Sequence, residues 1–376
     1  MPKILIVQPW FSAVGHPAQS LINTAKTIGA RSDIAYMISG SKRSDVFTDI
    51  KEELQKIGNV IDFSVRTDSL REGTLKALVS IRNVLSTDFF IDRILFLDAN
   101  LILLAILWPF FYQKRIKCLS VIYLAGPERV ARNYFIKALI TQFIQRKEVF
   151  LFLRTEELTA DWQKTFPKST IKCLPSLEMP TDCISHTNSQ LNSKFIKFGI
   201  IGQVRVGKSI EWLVPLFQQN PTIGKLTIAG AFANSAQCEV LTMLHNFEGF
   251  QDKFLTEEEL LRSAASQDYL LMLYDNWDSR MESAIMFVAA RVNRPVIVYD
   301  KGWAGRMVRT YGNGILVSSD VSDFVEFLKN LPKPVNNDYQ KMIDGVAKFR
   351  TTYSGVKVRD LFLREIFHDE FVAEDK

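Results

Sequence analysis

Between residues 195 and 217 the chain reads FIKFGIIGQVRVGKSIEWLVPLF, and this spacing could do chemistry. The mostly apolar run 195–201 predicts a buried strand. Gly202 breaks it and Gly207 punctuates again. Ile210, Leu213, Val214 and Phe217 then recur at helical spacing. Strand, glycine turn and helix N-terminus together hold a phosphate well. Backbone N–H groups converge there, the helix dipole is positive, and Lys208 adds a full charge, with Arg205 close by in sequence.

The rest of the chain must supply the scaffold. Its 376 residues suggest about two domains of roughly 150 residues each. Hydrophobic residues make up 47%, enough for well-filled cores. Lysine and arginine outnumber aspartate and glutamate by 46 to 41, an excess too mild for a nucleic-acid-binding protein. Cys118, Cys173, Cys183 and Cys238 show no C-x-x-C spacing, which argues against zinc or a disulfide framework. No apolar run reaches the ~18 residues of a membrane span. The longest, 101–112 (LILLAILWPFFY), suits a buried strand or helix. The opening MPKILIVQPW goes straight into a strand rather than a leader. The expectation is a cytoplasmic protein, with peripheral contact at the inner membrane face compatible with its charge.

In the first half, apolar runs predict strands at 3–8, 33–38, 60–63, 93–97, 118–124 and 149–153. Helical stretches at 18–28, 75–85 and 128–144 come between them. Strands alternating with helices indicate a doubly wound parallel sheet. Such sheets bind ligands beyond the carboxyl ends of their strands. Gly15, His16, Gln19, Asp98 and Gly126 are therefore the candidates on this side. His16 could hydrogen-bond a ligand or carry a proton near neutral pH, or simply sit in an exposed turn. The stretch 128–148 is amphipathic and basic, as an ordinary surface helix or a membrane-docking one would be. The polar run 181–193 (TDCISHTNSQLNS) reads as the interdomain linker. A second α/β series follows, with strands at 225–229, 269–274, 295–299 and 314–317. A capping box runs from Thr256 to Glu259, and helices are expected at 257–265, 284–292 and within 320–331.

Two families fit the glycine loop. Gly202, Gly207, Lys208 and Ser209 satisfy G-x-x-x-x-G-K-[ST], the pattern of P-loop NTPases. The same stretch resembles the G-R-L-x-x-x-K-G start of the donor domain in retaining GT-B glycosyltransferases. Four further pieces extend that second resemblance in order. Leu226 to Gly230 is similar to its "LxIxG" strand, and Phe254-Leu255 before the capping box to its "FLGxVxxEEL" loop. Arg294-Pro295-Val296-Ile297 with Asp300, Gly302 and Gly305 is similar to "GKPVVATDxGG", and 311–317 (YGNGILV) with Asp320 to "GxNGxLV…D". An NTPase would place its phosphate loop near the start of the catalytic domain, whereas here a whole α/β series precedes it.

The GT-B resemblance implies an α/β architecture of two Rossmann-like doubly wound domains facing a cleft. Residues 1–190 would form the acceptor side and 191–350 the nucleotide-sugar domain. A last helix within 351–376 would cross back to the first domain. It implies transfer of a sugar from a UDP- or GDP-sugar to a glycan or glycolipid. The anomeric configuration would be retained, with no metal and no cofactor; no D-x-D pair is present to hold Mg²⁺. Lys208 and Arg205 would stabilise the leaving diphosphate, with His16 and Glu282 as further catalytic candidates. Gly202, Gln203, Ser209, Gly230, Phe254, Leu255, Tyr274, Arg280 and Ser283 would bind the donor. Some positions depart from the pattern. The family's first phosphate-contacting arginine falls on Gln203. Its paired glutamates fall on Arg280 and Val288, and its acidic residue after the glycine turn on Arg306. Two readings follow: a diverged active enzyme using Arg280, Glu282 and Ser283 in a different sugar pocket, or an inactive sugar- or nucleotide-binding paralogue.

Overall fold

The computed structural model describes residues 4–9, 16–29, 34–40, 51–66, 70–85, 91–111, 116–176, 195–232, 238–275, 278–318, 323–353 and 356–367. Gly15 and the expected linker 181–193 lie outside them. The chain divides into two compact units, Met1–Glu178 with Val356–Lys376, and Met179–Gly355.

The first unit is built on seven parallel strands, β1 (Ile4–Gln8), β2 (Ile34–Gly40), β3 (Asn59–Arg66), β4 (Arg93–Leu97), β5 (Cys118–Tyr123), β6 (Val149–Leu153) and β7 (Ile171–Cys173). Their order is β3-β2-β1-β4-β5-β6-β7. The central strands β1, β4 and β5 are mostly apolar, with Gln8 and Ser120 as buried exceptions, because both faces are covered. The helices are α1 (His16–Ile28), α2 (Leu70–Leu85), α3 (Leu101–Phe111), α4 (Glu128–Ala131), α5 (Tyr134–Ile144) and α6 (Glu156–Thr165). The apolar run is thus helical over Leu101–Phe111, with Leu101, Leu104, Ala105 and Trp108 buried on one face.

The single helix expected over 128–144 is two. Asn133 takes an extended backbone and its side chain accepts from the N–H groups of Phe135 and Ile136, at 2.9 and 3.3 Å. A side chain that caps so well restarts the helix rather than continuing it.

The second unit has six parallel strands, β8 (Lys197–Ile201), β9 (Lys225–Ala229), β10 (Phe250–Gln251), β11 (Tyr269–Met272), β12 (Val296–Tyr299) and β13 (Gly314–Val317), in the order β10-β9-β8-β11-β12-β13. Its helices are α7 (Ile210–Gln219), α8 (Cys238–His245), α9 (Glu257–Ala265), α10 (Ala284–Arg291), α11 (Gly302–Tyr311), α12 (Phe324–Lys329) and α13 (Asn337–Tyr353). The Thr256–Glu259 capping box opens α9 with both reciprocal bonds made. The switch point, where the order turns from β8 outward to β9 on one side and β11 on the other, brings the loops after β8, β9 and β11 together. That is where ligands bind in open parallel sheets.

The last helix, α14 (Val356–Phe367), belongs to the first unit. Val358, Phe362 and Ile366 join the core formed by Ile4, Ile6, Leu21, Ala25 and Tyr36. Phe362 is fully buried there. Phe362→Ala should therefore cost the first unit about 3–5 kcal/mol. Hydrogen exchange should show this as faster exchange of β1 and β2 amides, with β8 and β11 unchanged.

Candidate functional site

Three glycines shape the second unit's switch point. Gly202 follows β8 with φ +89°, and its N–H donates to the Ala229 carbonyl at 2.9 Å. Gly230 follows β9, and a Cβ there would lie 1.9 Å from the Gly202 carbonyl oxygen. The two turns therefore pack backbone against backbone, and Gly230 tolerates no side chain. The loop then runs through Val204, whose N–H donates to Ala231, to Gly207 at φ +87°. The Gly207 carbonyl accepts from the Asp275 N–H at 2.9 Å, which ties the loop to the segment after β11.

Ser209 precedes α7 in the left-handed region, φ 56°, an uncommon conformation for a residue with a side chain. It is fully buried. Its hydroxyl donates to Asp275 Oδ2 at 2.8 Å and sits 3.1 Å from the Tyr299 hydroxyl. Ser209 thus does not cap α7 and turns its oxygen away from the loop mouth. The Gly207 N–H donates to Glu211 Oε1 at 3.2 Å. In a phosphate-wrapping P-loop these two groups would serve the nucleotide and its metal. Here both are occupied, each by a carboxylate.

Lys208 is the electrostatic centre. It is 7% exposed, and its Nζ lies 5.9 Å from the centroid of the Tyr274 ring. No carboxylate among the described residues pairs with it; burial, then the charge of Arg205, pulls its pKa down to about 7. Arg205 is itself held below the usual arginine value by burial. Two cations in one loop, one of them buried and unmatched, make a site that an anion would stabilise.

Beyond the loop, the Tyr274 hydroxyl lies 3.3 Å from Ser283 Oγ, at the start of α10. Burial raises the Tyr274 pKa. Met272, Tyr274, Ser279, Met281, Ser283, Tyr299, Lys301 and Ala304 line one small cavity. Of the expected donor residues, only Tyr274 and Ser283 line it. The cavity wall is stitched at Gly302, φ +61°, where a Cβ would lie 2.1 Å from the Ser279 carbonyl oxygen. That carbonyl accepts from the Trp303 N–H at 2.6 Å.

Arg280 does not present a free charge to a sugar or phosphate. Asp278 holds its guanidinium in a two-pronged pair, Nε to Oδ1 at 2.8 Å and Nη2 to Oδ2 at 2.7 Å. Val288 is buried within α10 and offers no carboxylate. Glu282 is half-buried with Oε2 turned inward. Gln203 is exposed, and Phe254 and Leu255 are half-buried just before α9. Gly202 faces Ile285 of α10 and Leu260 of α9, so the α9 and α10 starts flank the glycine turn. Sequence reasoning assigned no role to Tyr299 or Lys301. Each lies at or just after the end of a predicted strand, which was the available signal.

In the first unit, His16 and Gln19 fall in the first turns of α1. Asp98 follows β4 at φ 76°, and its carboxylate accepts from the Ala99 N–H at 2.9 Å. Gly126 follows β5 and is buried. These loops occupy the carboxyl end of the first sheet. His16 and the Lys208 loop belong to different units. The described residues contain no cluster of three or more His, Cys, Asp or Glu that could hold a metal ion.

This architecture is the GT-B fold. A glycosyltransferase from Rickettsia africae ESF-5 superposes with a TM-score of 0.67 at 11% identity, over 98% of this chain and 99% of the other. Anabaena HepE, solved with UDP and glucose, gives 0.67 at 15% identity, over 98% and 100%. A UDP-N-acetylglucosamine 2-epimerase shares the fold at 0.57 and 13% identity, over 98% and 96%. No family model matches the chain, and no curated protein sequence does.

The low pKa of Lys208 has a consequence with a definite sign. Between about pH 7 and 10.5 the unfolded chain carries the Lys208 proton and the folded chain does not. Stability should rise with pH through that window and lose this contribution below it. The penalty at neutral pH is on the order of a few kcal/mol. Lys208→Met should raise the melting temperature at neutral pH and flatten its climb toward about pH 9.5, as thermal melts would show.

Proposed function

We propose that the chain is a glycosyltransferase that moves a sugar from a UDP- or GDP-sugar to a glycan or glycolipid acceptor, with retention and without a metal ion. One observation carries the reading: the buried Lys208 ammonium lacks a carboxylate partner among the described residues. It lies at the switch point of a GT-B donor-side sheet. Lys208 and Arg205 would neutralise the diphosphate as the glycosidic bond breaks. These preorganised charges act where negative charge develops. The Gly202 turn would let the donor approach the backbone. Tyr274 and Ser283 would bound the sugar side. The acceptor would use the first unit, through the loops that hold Gly15, His16, Asp98 and Gly126.

A second reading is a protein that binds the donor without turning it over. Arg280 locked to Asp278 and Val288 buried in α10 favour it, because the acidic pair expected by resemblance is gone. An ATP-hydrolysing P-loop is disfavoured by the occupied Gly207 N–H and Ser209 hydroxyl.

Calorimetry with UDP, GDP, ADP and ATP, with and without Mg²⁺, is the first test. The expected result is UDP or GDP binding that is indifferent to Mg²⁺ and falls at least about tenfold in Lys208→Ala, the loss of a charge-assisted contact. Mg²⁺-dependent ATP binding with weak diphosphates would overturn the reading. Product analysis with the matching nucleotide-sugar then separates transfer from binding alone.

A further inference from the structure

Among the described residues six large hydrophobic side chains are exposed: Leu75, Val79, Ile106, Tyr134, Phe135 and Val335. All but Val335 lie on three helices of the first unit that pack side by side, α2 on α3 and α3 on α5. Single exposed hydrophobics need no explanation, but a clustered set does.

Each helix contributes in its own way. On α2 the outward stripe is Arg71, Leu75, Val79 and Arg82, two apolar residues between two cations. α3 has no polar residue at all, LILLAILWPFF. Its inner face is filled by Trp108 and its neighbours, so Ile106 and Pro109 are left facing outward. On α5, Tyr134 and Phe135 are each 80% exposed, touching edge to face with centroids 6.0 Å apart. They are held out by the Asn133 cap, which fixes where the helix starts.

The charge around this surface is one-sided. α2, α4, α5 and the turn between the last two carry Arg71, Lys76, Arg82, Arg129, Arg132 and Lys137 against only Glu72 and Glu128. Glu72 is already paired with Lys76. Aromatic and aliphatic side chains flanked by arginine and lysine match the boundary between acyl chains and anionic headgroups. A protein partner would be expected to answer apolar side chains with apolar ones, without needing the excess of cations on the same helices. At 11 residues, α3 is about half the length needed to span a bilayer, so the contact is with the surface.

We infer that the α2–α3–α5 face of the first unit docks on an anionic membrane surface, with Tyr134 and Phe135 inserted at the headgroup level. The inference does not rest on the donor reading above.

The test is co-sedimentation of the full chain with phosphatidylcholine vesicles, with or without roughly one-third phosphatidylglycerol. Wild type is compared with the double variant Tyr134→Ser, Phe135→Ser. Both side chains are exposed, so the variant should melt like wild type. The expected result is binding to the anionic vesicles alone, weakened by high salt and reduced at least about tenfold in the variant. Equal binding to neutral vesicles, no binding to either, or unchanged binding by the variant would overturn it. So would a concentration-dependent dimer in light scattering that the double variant dissociates, since the face would then seat a second copy.

Discussion

A buried lysine with no countercharge among the described residues is costly, and the second unit keeps one. Lys208 has little water, an aromatic ring beside it and Arg205 as its nearest charge influence. Left alone, such a group sheds its proton rather than bear the desolvation. The loop that holds it is over-determined. Gly202 is locked to β9, Gly207 to Asp275, and Ser209 to Asp275 and Tyr299. These bonds hold the backbone strain at Ser209, which would otherwise relax. Strain at Ser209 and a buried charge that no described carboxylate pairs with thus meet in one loop.

The surrounding carboxylates are committed elsewhere. Glu211 and Asp275 lie close in the same loop system, yet neither pairs with Lys208. Glu211 takes the Gly207 N–H and Asp275 takes the Ser209 hydroxyl. Asp278 is spent on Arg280. The acids are used to hold the frame and to neutralise one cation, and among the described residues none is spent on Lys208.

Much of this was readable from residue order. The central strands are mostly apolar runs, and parallel sheets covered on both faces favour that pattern. Gly202, Gly207 and Gly230 announced the turns because positive φ and backbone contact admit little else. The Thr256 capping box was explicit. Less visible were the short strand Ile171–Cys173 and the polar helices 302–311 and 337–353, whose apolar faces are diluted by charged residues. Asn133 was read as a helix-interior residue, because a spacing pattern does not say when a side chain captures its own backbone. The Arg280–Asp278 pair was missed for a related reason. Sequence shows which charges are near in order, not which rotamers bring them together. The G-x-x-x-x-G-K-S spacing admitted two families because it records residue types, whereas the distinction lies in where the Gly207 N–H and the Ser209 hydroxyl point.

At 11–15% identity to the Rickettsia glycosyltransferase and Anabaena HepE, the fold is held by steric rules rather than by shared side chains. At Gly230 and Gly302 a Cβ would collide with backbone, at 1.9 and 2.1 Å. The acidic pair expected from the family pattern is absent: Arg280 pairs with Asp278, and Val288 is buried in α10. The glycine turns are thus fixed by backbone contact, whereas the side chains of 278–283 are not. Substrate choice in this chain is therefore to be sought in the segment 278–283 and in Lys301, where the frame leaves sequence free to vary. It is not to be sought in the glycine turns, where the frame leaves none.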